Sequence, residues 1–245
     1  LIAHTNSGGE KRLRQLETRM LDFGVSVSRT ADDLVRYHGK LLIVDREELH
    51  VYGFNYTSLD VKSRSLGLIC RDRRTIQDAL RLFESDAQRQ AFEPAADTLV
   101  VSPENAREQL ATFIRGAQKQ LMIWDPKVSD PKMIRELQQR IKAGVDVRVI
   151  GKVAQRGRGI RAEKSPIRLH LRAMVRDGDT VFVGSQSLRA LELDSRREVG
   201  LIARDPRVVR RIAEVFEADW ARTELGRKEL KVAEKLDEDQ ELTAP

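Results

Sequence analysis

Tyr37-His38-Gly39-Lys40-Leu41-Leu42-Ile43-Val44-Asp45 returns 132 residues later as Leu169-His170-Leu171-Arg172-Ala173-Met174-Val175-Arg176-Asp177. Each copy reads histidine, one residue, a base, and then an aspartate five places beyond the base. The likeness continues downstream. Gly53-Phe54-Asn55 lines up with Gly184-Ser185-Gln186 at a step of 131, and Leu66-Gly67-Leu68-Ile69 with Val199-Gly200-Leu201-Ile202 at a step of 133. Arg71-Asp72 and Arg204-Asp205 keep that step, as do Phe83-Glu84 and Phe216-Glu217. An internal duplication accounts for the set.

Each copy reads as strand, turn, strand, strand, helix. The apolar run 41–44 ends in the polar turn 45–48, the runs 49–52 and 66–70 make further strands, and Ile76, Ala79, Leu80 and Phe83 form a helical stripe. Val208, Val209, Ile212, Val215 and Phe216 form its equivalent. Ahead of the second copy lies a lead-in. A strand over 98–101 precedes a helix from Ser102-Pro103 to about Ala117, with Ser as N-cap and Pro at the first helical position. A buried strand over 121–124, a helix from Asp130-Pro131 to Ala143 closed by Gly144, and a strand over 145–150 follow. The alternation predicts an α/β fold of two pseudo-twofold-related lobes, each a mixed, mostly parallel sheet flanked by helices.

The expected boundaries are 1–93 for the first lobe, 94–225 for the second, and 226–245 for a charged C-terminal tail read as a solvated helix, with an inter-lobe joint over 84–97. The first lobe has only a helix over about 9–23 ahead of its motif. Leu1-Ile2-Ala3 looks like the interior of a strand, so roughly fifty residues of lead-in are expected upstream.

The chain has 245 residues, a 40% apolar fraction and a formal net charge of +6, with a sequence pI of about 9.6. That apolar content supports a packed core, and no apolar run approaches the ~18 residues that span a bilayer. Basic excess suits anionic partners such as phospholipid headgroups or nucleic acid. The single cysteine, Cys70, excludes an intramolecular disulfide framework and a multi-cysteine metal centre. A cytoplasmic or membrane-associated setting therefore fits better than a secreted, disulfide-rich one.

Residues two apart on a strand share a face, so His38 projects with Lys40, and His170 with Arg172. An imidazole beside a cation is a poor core pair and a good pair for a phosphate. Phosphodiester cleavage needs a nucleophile, a proton donor to the leaving oxygen and cations on the non-bridging oxygens. Histidine fills the first two roles near neutral pH.

These residues resemble the phospholipase D superfamily, bacterial phospholipase D-like and cardiolipin synthase-like members included, whose signature is His-x-Lys-x4-Asp twice, each with a Gly-Ser/Asn turn behind it. The resemblance runs from Leu1 to about Trp220; Val183-Gly184-Ser185-Gln186-Ser187 and Arg197-Glu198-Val199-Gly200 are especially characteristic. It implies one shared site and cleavage or transfer of phosphodiesters in phospholipid or nucleic acid, generally with no metal and no cofactor. On that resemblance His38 is the nucleophile, passing through a phosphohistidine, and His170 the general acid, an order open to reversal. Lys40 and Arg172 clamp the phosphate, and Asn55, Gln186 and Ser185 contact substrate. Asp45 and Asp177 have turn-holding roles, and Glu198 orients a histidine.

Two departures stand out. Arg172 replaces the family lysine, and Ser65 occupies the place matching Glu198, leaving one histidine without its acid unless Asp60 substitutes. Impaired catalysis is one consequence. His4 and His50 read as ordinary histidines, Trp124 and Trp220 as core. Lys152, Arg156, Arg158, Arg161 and Lys164 form a basic loop placed for substrate contact. The leading expectation is a phospholipid phosphodiesterase or phosphatidyltransferase with peripheral membrane contact. A nuclease on the same fold and a non-catalytic phosphate-binding scaffold are the alternatives; 5% aromatics offers few stacking platforms for single strands.

Overall fold

The computed structural model describes residues 1–3, 9–154 and 159–243, with side chains through 236. His4, Arg156 and Arg158 lie outside the described residues. In chain order the elements are α1 (Glu10–Asp22), β1 (Arg36–Tyr37), β2 (Leu41–Val44), β3 (Glu48–Tyr52), α2 (Ser58–Val61), β4 (Gly67–Cys70) and α3 (Arg73–Gln88). Then come β5 (Leu99–Val101), α4 (Ala106–Arg115), β6 (Gln120–Val128), α5 (Pro131–Lys142), β7 (Asp146–Val153) and β8 (Arg161–Glu163). The chain finishes with β9 (Arg172–Arg176), β10 (Thr180–Gly184), α6 (Ala190–Asp194), β11 (Arg196–Arg197), β12 (Val199–Ala203), α7 (Pro206–Trp220) and α8 (Glu224–Thr243).

The repeat is present at the level of strand register. Leu41 pairs with Val51 and Leu42 with His50, just as Ala173 pairs with Val183 and Met174 with Phe182. The third strand adds Tyr52 to Gly67 in one copy and Gly184 to Gly200 in the other. Both hairpins turn through two residues of positive φ, Asp45 (50°) and Arg46 (59°), then Asp177 (52°) and Gly178 (72°). Such a pair matches the twist of a two-residue hairpin. Asp177 also receives the backbone N–H groups of Gln118, Lys119 and Gln120 at 2.7–2.9 Å, so it holds the start of β6. Both helices that close the copies are capped alike: Asp72 accepts from Thr75 N (2.8 Å), and Asp205 from Arg207 N (2.8 Å), with Pro206 behind it.

The large sheet runs β5-β12-β10-β9-β6-β7-β8 and is mixed and helix-flanked, as expected. Its balance differs from the expectation of a mostly parallel sheet. Only β6·β7 and β7·β8 are parallel, and the other four pairings are antiparallel. The physical reason is the duplicated hairpin, which inserts β9, β10 and β12 as a meander that needs no crossover helix. The first copy forms an antiparallel three-stranded sheet, β2-β3-β4.

Three apolar clusters fill the layers. One face of the large sheet is covered by α4 and α5 around Leu110, Ile114, Leu137 and Phe182. The opposite face packs Val209, Ile212, Phe216 and Trp220 of α7 against Trp124 and Val183. The third cluster joins Leu49, Val51, Ile76 and Leu82 of the first copy to Leu99, Val101, Val199 and Leu201. Period-two alternation in β12 sends Val199 and Leu201 to that cluster and Ile202 to the first. Burial of each such Leu, Ile or Phe contributes about 1.5–3 kcal/mol. Trp124 and Trp220 are core, as read from sequence.

Three local expectations change. The helix expected from Ser102-Pro103 begins at Ala106, because Asn105 claims the N-cap place and its side chain bonds Val101 N and Leu99 O. Leu1-Ile2-Ala3 is not a strand; Ile2 makes a single parallel bridge to Arg29. α8 begins two residues ahead of the expected tail, and Glu229 ties its first turns to Trp220 Nε1 (2.9 Å) and Arg161. Among the described residues no helix is long and apolar enough to cross a membrane.

Candidate active site

Both motif histidines sit just ahead of a hairpin strand, and the backbone of each is held by the other repeat. β1 lies parallel to β11, so His38 N and Gly39 N both donate to Arg197 O, at 2.8 and 2.9 Å. In the second copy, Leu169 bridges Arg64 in parallel, and His170 N donates to Arg64 O at 3.0 Å. Gly39 is required at its place: a Cβ there would stand 2.7 Å from Val199 Cγ2.

The two arginines that supply those carbonyls are themselves fixed by acids at matching places in the repeat. Arg64 grips Asp219 through two bonds of 2.7 Å, and Asp219 also accepts from Trp124 Nε1. Arg197 pairs with Asp86 (3.0 Å) and with Glu104, and donates to Ser102 O. Burial pushes the Asp86 carboxyl up to about 6, with Arg197 opposing and Glu104 and Asp33 adding to the rise. Sequence reading missed both pairs, although Asp86 and Asp219 lie 133 residues apart, as Arg64 and Arg197 do.

The imidazoles repeat the exchange. Glu198, fully buried in the second copy, faces His38 Nδ1 at 3.0 Å. Asp60, buried on α2 in the first copy, faces His170 Nδ1 at 2.5 Å. An ionised carboxylate only accepts, so each Nδ1 carries the proton and each Nε2 is left for chemistry. Asp60 thus takes the place that Ser65 leaves empty, reaching from five residues upstream. Burial works against the Asp60 carboxylate, yet the bond and charge of His170, with Thr57 and Arg168, hold its pKa well below the usual range. Burial likewise pushes the His170 imidazole below its ordinary value; Arg172 and Lys40 add to the fall, and Asp60 opposes it.

Lys40 Nζ lies 2.8 Å from His38 Nε2 and 2.9 Å from Nδ1, against the ring. Burial drives its pKa down to about 7, with Glu198 and Asp60 opposing and Arg172 and Arg36 reinforcing. Arg172 donates Nε–H to Ser187 Oγ at 3.2 Å and lies near the fully buried Asp125. Arg172 Nη1 is buried with no hydrogen-bond partner among the described residues. A cation that titrates near 7 makes anion binding pH-sensitive. Sulfate keeps its charge across this range, and its affinity is expected to fall as pH rises through about 7 and Lys40 loses its proton. Calorimetric titration of sulfate checks this, and Lys40→Arg is expected to flatten the fall, since a guanidinium stays charged.

The Gly-Ser turn differs from its sequence reading. Gly53 N donates to Leu66 O as Ser185 N donates to Val199 O, so Gly53 matches Ser185 and the step is 132, not 131. Asn55 therefore corresponds to Ser187. Gln186 is buried, and its amide donates to Val100 O (3.0 Å) rather than toward a substrate. Ser185 is also buried, exchanging bonds with the backbone of Val199. Asn55 donates its backbone N–H to Asp60 Oδ2 (3.1 Å) and lines a cavity beside that acid. Asp45 stands in its hairpin turn, away from the histidines. His50 pairs with Glu48 and Tyr52 on β3. In the basic loop, Arg161 is engaged by Asp146 and Glu229, a structural role. No cluster of three or more His, Cys, Asp or Glu is placed to hold a metal among the described residues.

The mixed α/β fold carries one motif histidine just ahead of a hairpin strand in each repeat. Residues 110–220 match the family described as cardiolipin synthase, PLD-like domain. The match takes in the His170 motif and leaves out the His38 motif. Among solved structures, the polyphosphate kinase of Porphyromonas gingivalis superposes with a TM-score of 0.70 at 19% identity, covering 88% of this chain. This chain spans 40% of that kinase's length. The phosphatidylserine synthase of Haemophilus influenzae Rd KW20 has a TM-score of 0.58 at 11% identity, covering 84% of this chain and 70% of its own. Both likenesses are of fold. No curated protein matches the sequence.

Proposed function

We propose that the chain cleaves or transfers phosphodiesters of phospholipids through a phosphohistidine at His38. The observation that supports this most is the crossed pair of carboxylate–imidazole contacts, His38 with Glu198 and His170 with Asp60. Two imidazoles, each with its Nδ1–H on a carboxylate and each beside a cation, suit the two faces of one phosphorus centre. Neutral His38 attacks phosphorus through Nε2, forming a P–N bond as the P–O bond to the leaving alcohol breaks, and His170, protonated on both nitrogens, gives that oxygen its Nε2 proton and becomes neutral. Water or an alcohol then returns a proton to His170 and attacks phosphorus, breaking the P–N bond. Lys40 and Arg172 hold the non-bridging oxygens, and the phosphate supplies the partner that Arg172 Nη1 lacks. With Asp60 in the place of the missing acid, both histidines have their orienting carboxylate, which supports an active site rather than an impaired one.

The phospholipid assignment draws on the cardiolipin synthase-type match. Incubating the chain with labelled phosphatidylglycerol vesicles and, separately, with plasmid DNA tests it. Released or transferred headgroup is expected from the lipid. Product from DNA alone would replace this reading by a nuclease, and phosphate binding without turnover of either substrate by a scaffold.

A further inference from the structure

We propose that α2 and the adjoining segment 164–168 form a docking rim that seats the cleft on an anionic phospholipid surface. The proposal rests on the phospholipid reading above and adds where and how the membrane is met. α2 is a single turn whose residues divide sharply. Asp60 is buried and turns in to His170, while Leu59 and Val61 on either side are 66% and 85% exposed. Tyr56, two residues before α2, is 71% exposed and stands edge-on to Tyr52 and Phe54 at centroid distances of 5.5 and 6.1 Å. Phe54, Tyr56 and Val61 line a cavity of about 440 Å³ that reaches Asp60. One short element thus aims a carboxylate at the imidazole and leaves large apolar side chains exposed to solvent. Neighbouring exposed apolar groups of this kind mark an interaction surface.

The charge around them has one sign. Segment 164–168 runs alongside 62–65 through the parallel bridge of Leu169 to Arg64, and Arg168 reaches across to Asp60 (2.7 Å) and Ser63 (3.2 Å). Exposed Lys62 follows Val61 directly. Lys152 and Lys164 line a second cavity, of about 230 Å³, with the exposed Ile167. Across 54–65 and 164–169 the single acid is Asp60, and it is buried. The rim therefore presents Leu59, Val61 and Ile167 among Lys62, Lys164 and Arg168. Cations at headgroup level with apolar side chains below them make the pattern of interfacial binding to anionic lipid. A nucleic acid is the poorer fit, because apart from Tyr56 the exposed apolar groups of the rim are branched aliphatics, which offer no flat face to a base. Docking there places headgroup phosphates beside Asp60 and His170.

Vesicle sedimentation tests the proposal, comparing phosphatidylcholine alone with phosphatidylcholine plus phosphatidylglycerol. The wild-type chain is expected to partition onto the anionic vesicles, less so as salt rises. The double variant Leu59→Ser, Val61→Ser is expected to lose about tenfold or more in partitioning, and Lys62→Glu to lose the preference for anionic lipid. Both variants are expected to cleave a soluble diester, bis(p-nitrophenyl) phosphate, at the wild-type rate, which also reports that they are folded. Partitioning unchanged by the substitutions, no partitioning by the wild type, or a loss seen against single-stranded oligonucleotide instead would each overturn the proposal. A wild type inert toward every diester, but partitioning in the expected variant-sensitive way, would leave the docking rim standing and remove the catalytic reading.

Discussion

Glu198→Gln is expected to lower kcat by about 10³–10⁴ while leaving the fold intact. Glu198 is fully buried, and its Oε2 meets His38 Nδ1. Gln has the same shape, so packing among Val199, Ser185 and their neighbours is preserved. The change lies in what the side chain permits the ring to be. The carboxylate accepts only, which fixes the proton on Nδ1 and leaves the Nε2 lone pair for phosphorus. An amide whose NH₂ faces the ring favours the other tautomer, with the proton on Nε2, and the nucleophile is lost. Asp60→Asn is expected to slow the reaction through His170, because the amide no longer stabilises the doubly protonated ring that gives up its Nε2 proton. Rates on bis(p-nitrophenyl) phosphate, with circular dichroism as the control for folding, check both. Wild-type rates in either variant would exclude an orienting role for that acid. The two losses are not expected to add in the double variant, because the histidines serve one reaction.

The parts of this arrangement that sequence reveals are those set by short-range rules. A short apolar run ended by a polar turn put 41–44 on a strand, with 49–52 after it. Asp72 and Asp205 were legible only as matching positions of the repeat, and the structure shows them as helix caps. Asp45 and Asp177 marked hairpin turns. What stays hidden depends on partners more than a hundred residues away. The parallel pairing of β1 with β11 exchanges strands between the repeats, and nothing in Arg36-Tyr37 names Arg196-Arg197 as its neighbour. For the acid of His170 the sequence offered Asp60 only as a nearby candidate, and the structure places it on the ring. Asp60 does not stand at the repeat place of Glu198; it reaches the ring because α2 turns it inward. Gln186 misleads in the opposite direction, since a polar residue in a Gly-Ser turn looks available, yet its amide serves Val100 in the interior. The same Gly-to-Gly alignment that brought Gln186 forward also concealed Ser187, whose hydroxyl receives the Arg172 Nε–H.

The roles of the two histidines separate most clearly when the leaving group needs no help. His38→Ala is expected to cut turnover by about 10⁴ or more on any diester, with no acid-labile phosphate on the protein, because the atom that would bond to phosphorus is gone. His170→Ala removes the acid instead. A phosphatidyl alcohol is a poor leaving group, so the first step on lipid is expected to slow about as far. p-Nitrophenolate departs as a stable anion without a proton, so the first step on bis(p-nitrophenyl) phosphate proceeds in His170→Ala. The second step still needs a base to take the proton from water, and that base is missing. Acid-labile phosphate on His38 is therefore expected to accumulate in His170→Ala, with one burst of p-nitrophenolate per chain and slow turnover afterwards. Quenching in alkali and mapping the labelled peptide reads the result directly. Label on His170 in the His38→Ala variant would mean that the two imidazoles exchange roles, with Arg172 rather than Lys40 beside the nucleophile. No label on either histidine, in a protein that turns over lipid, would exclude covalent catalysis at this pair.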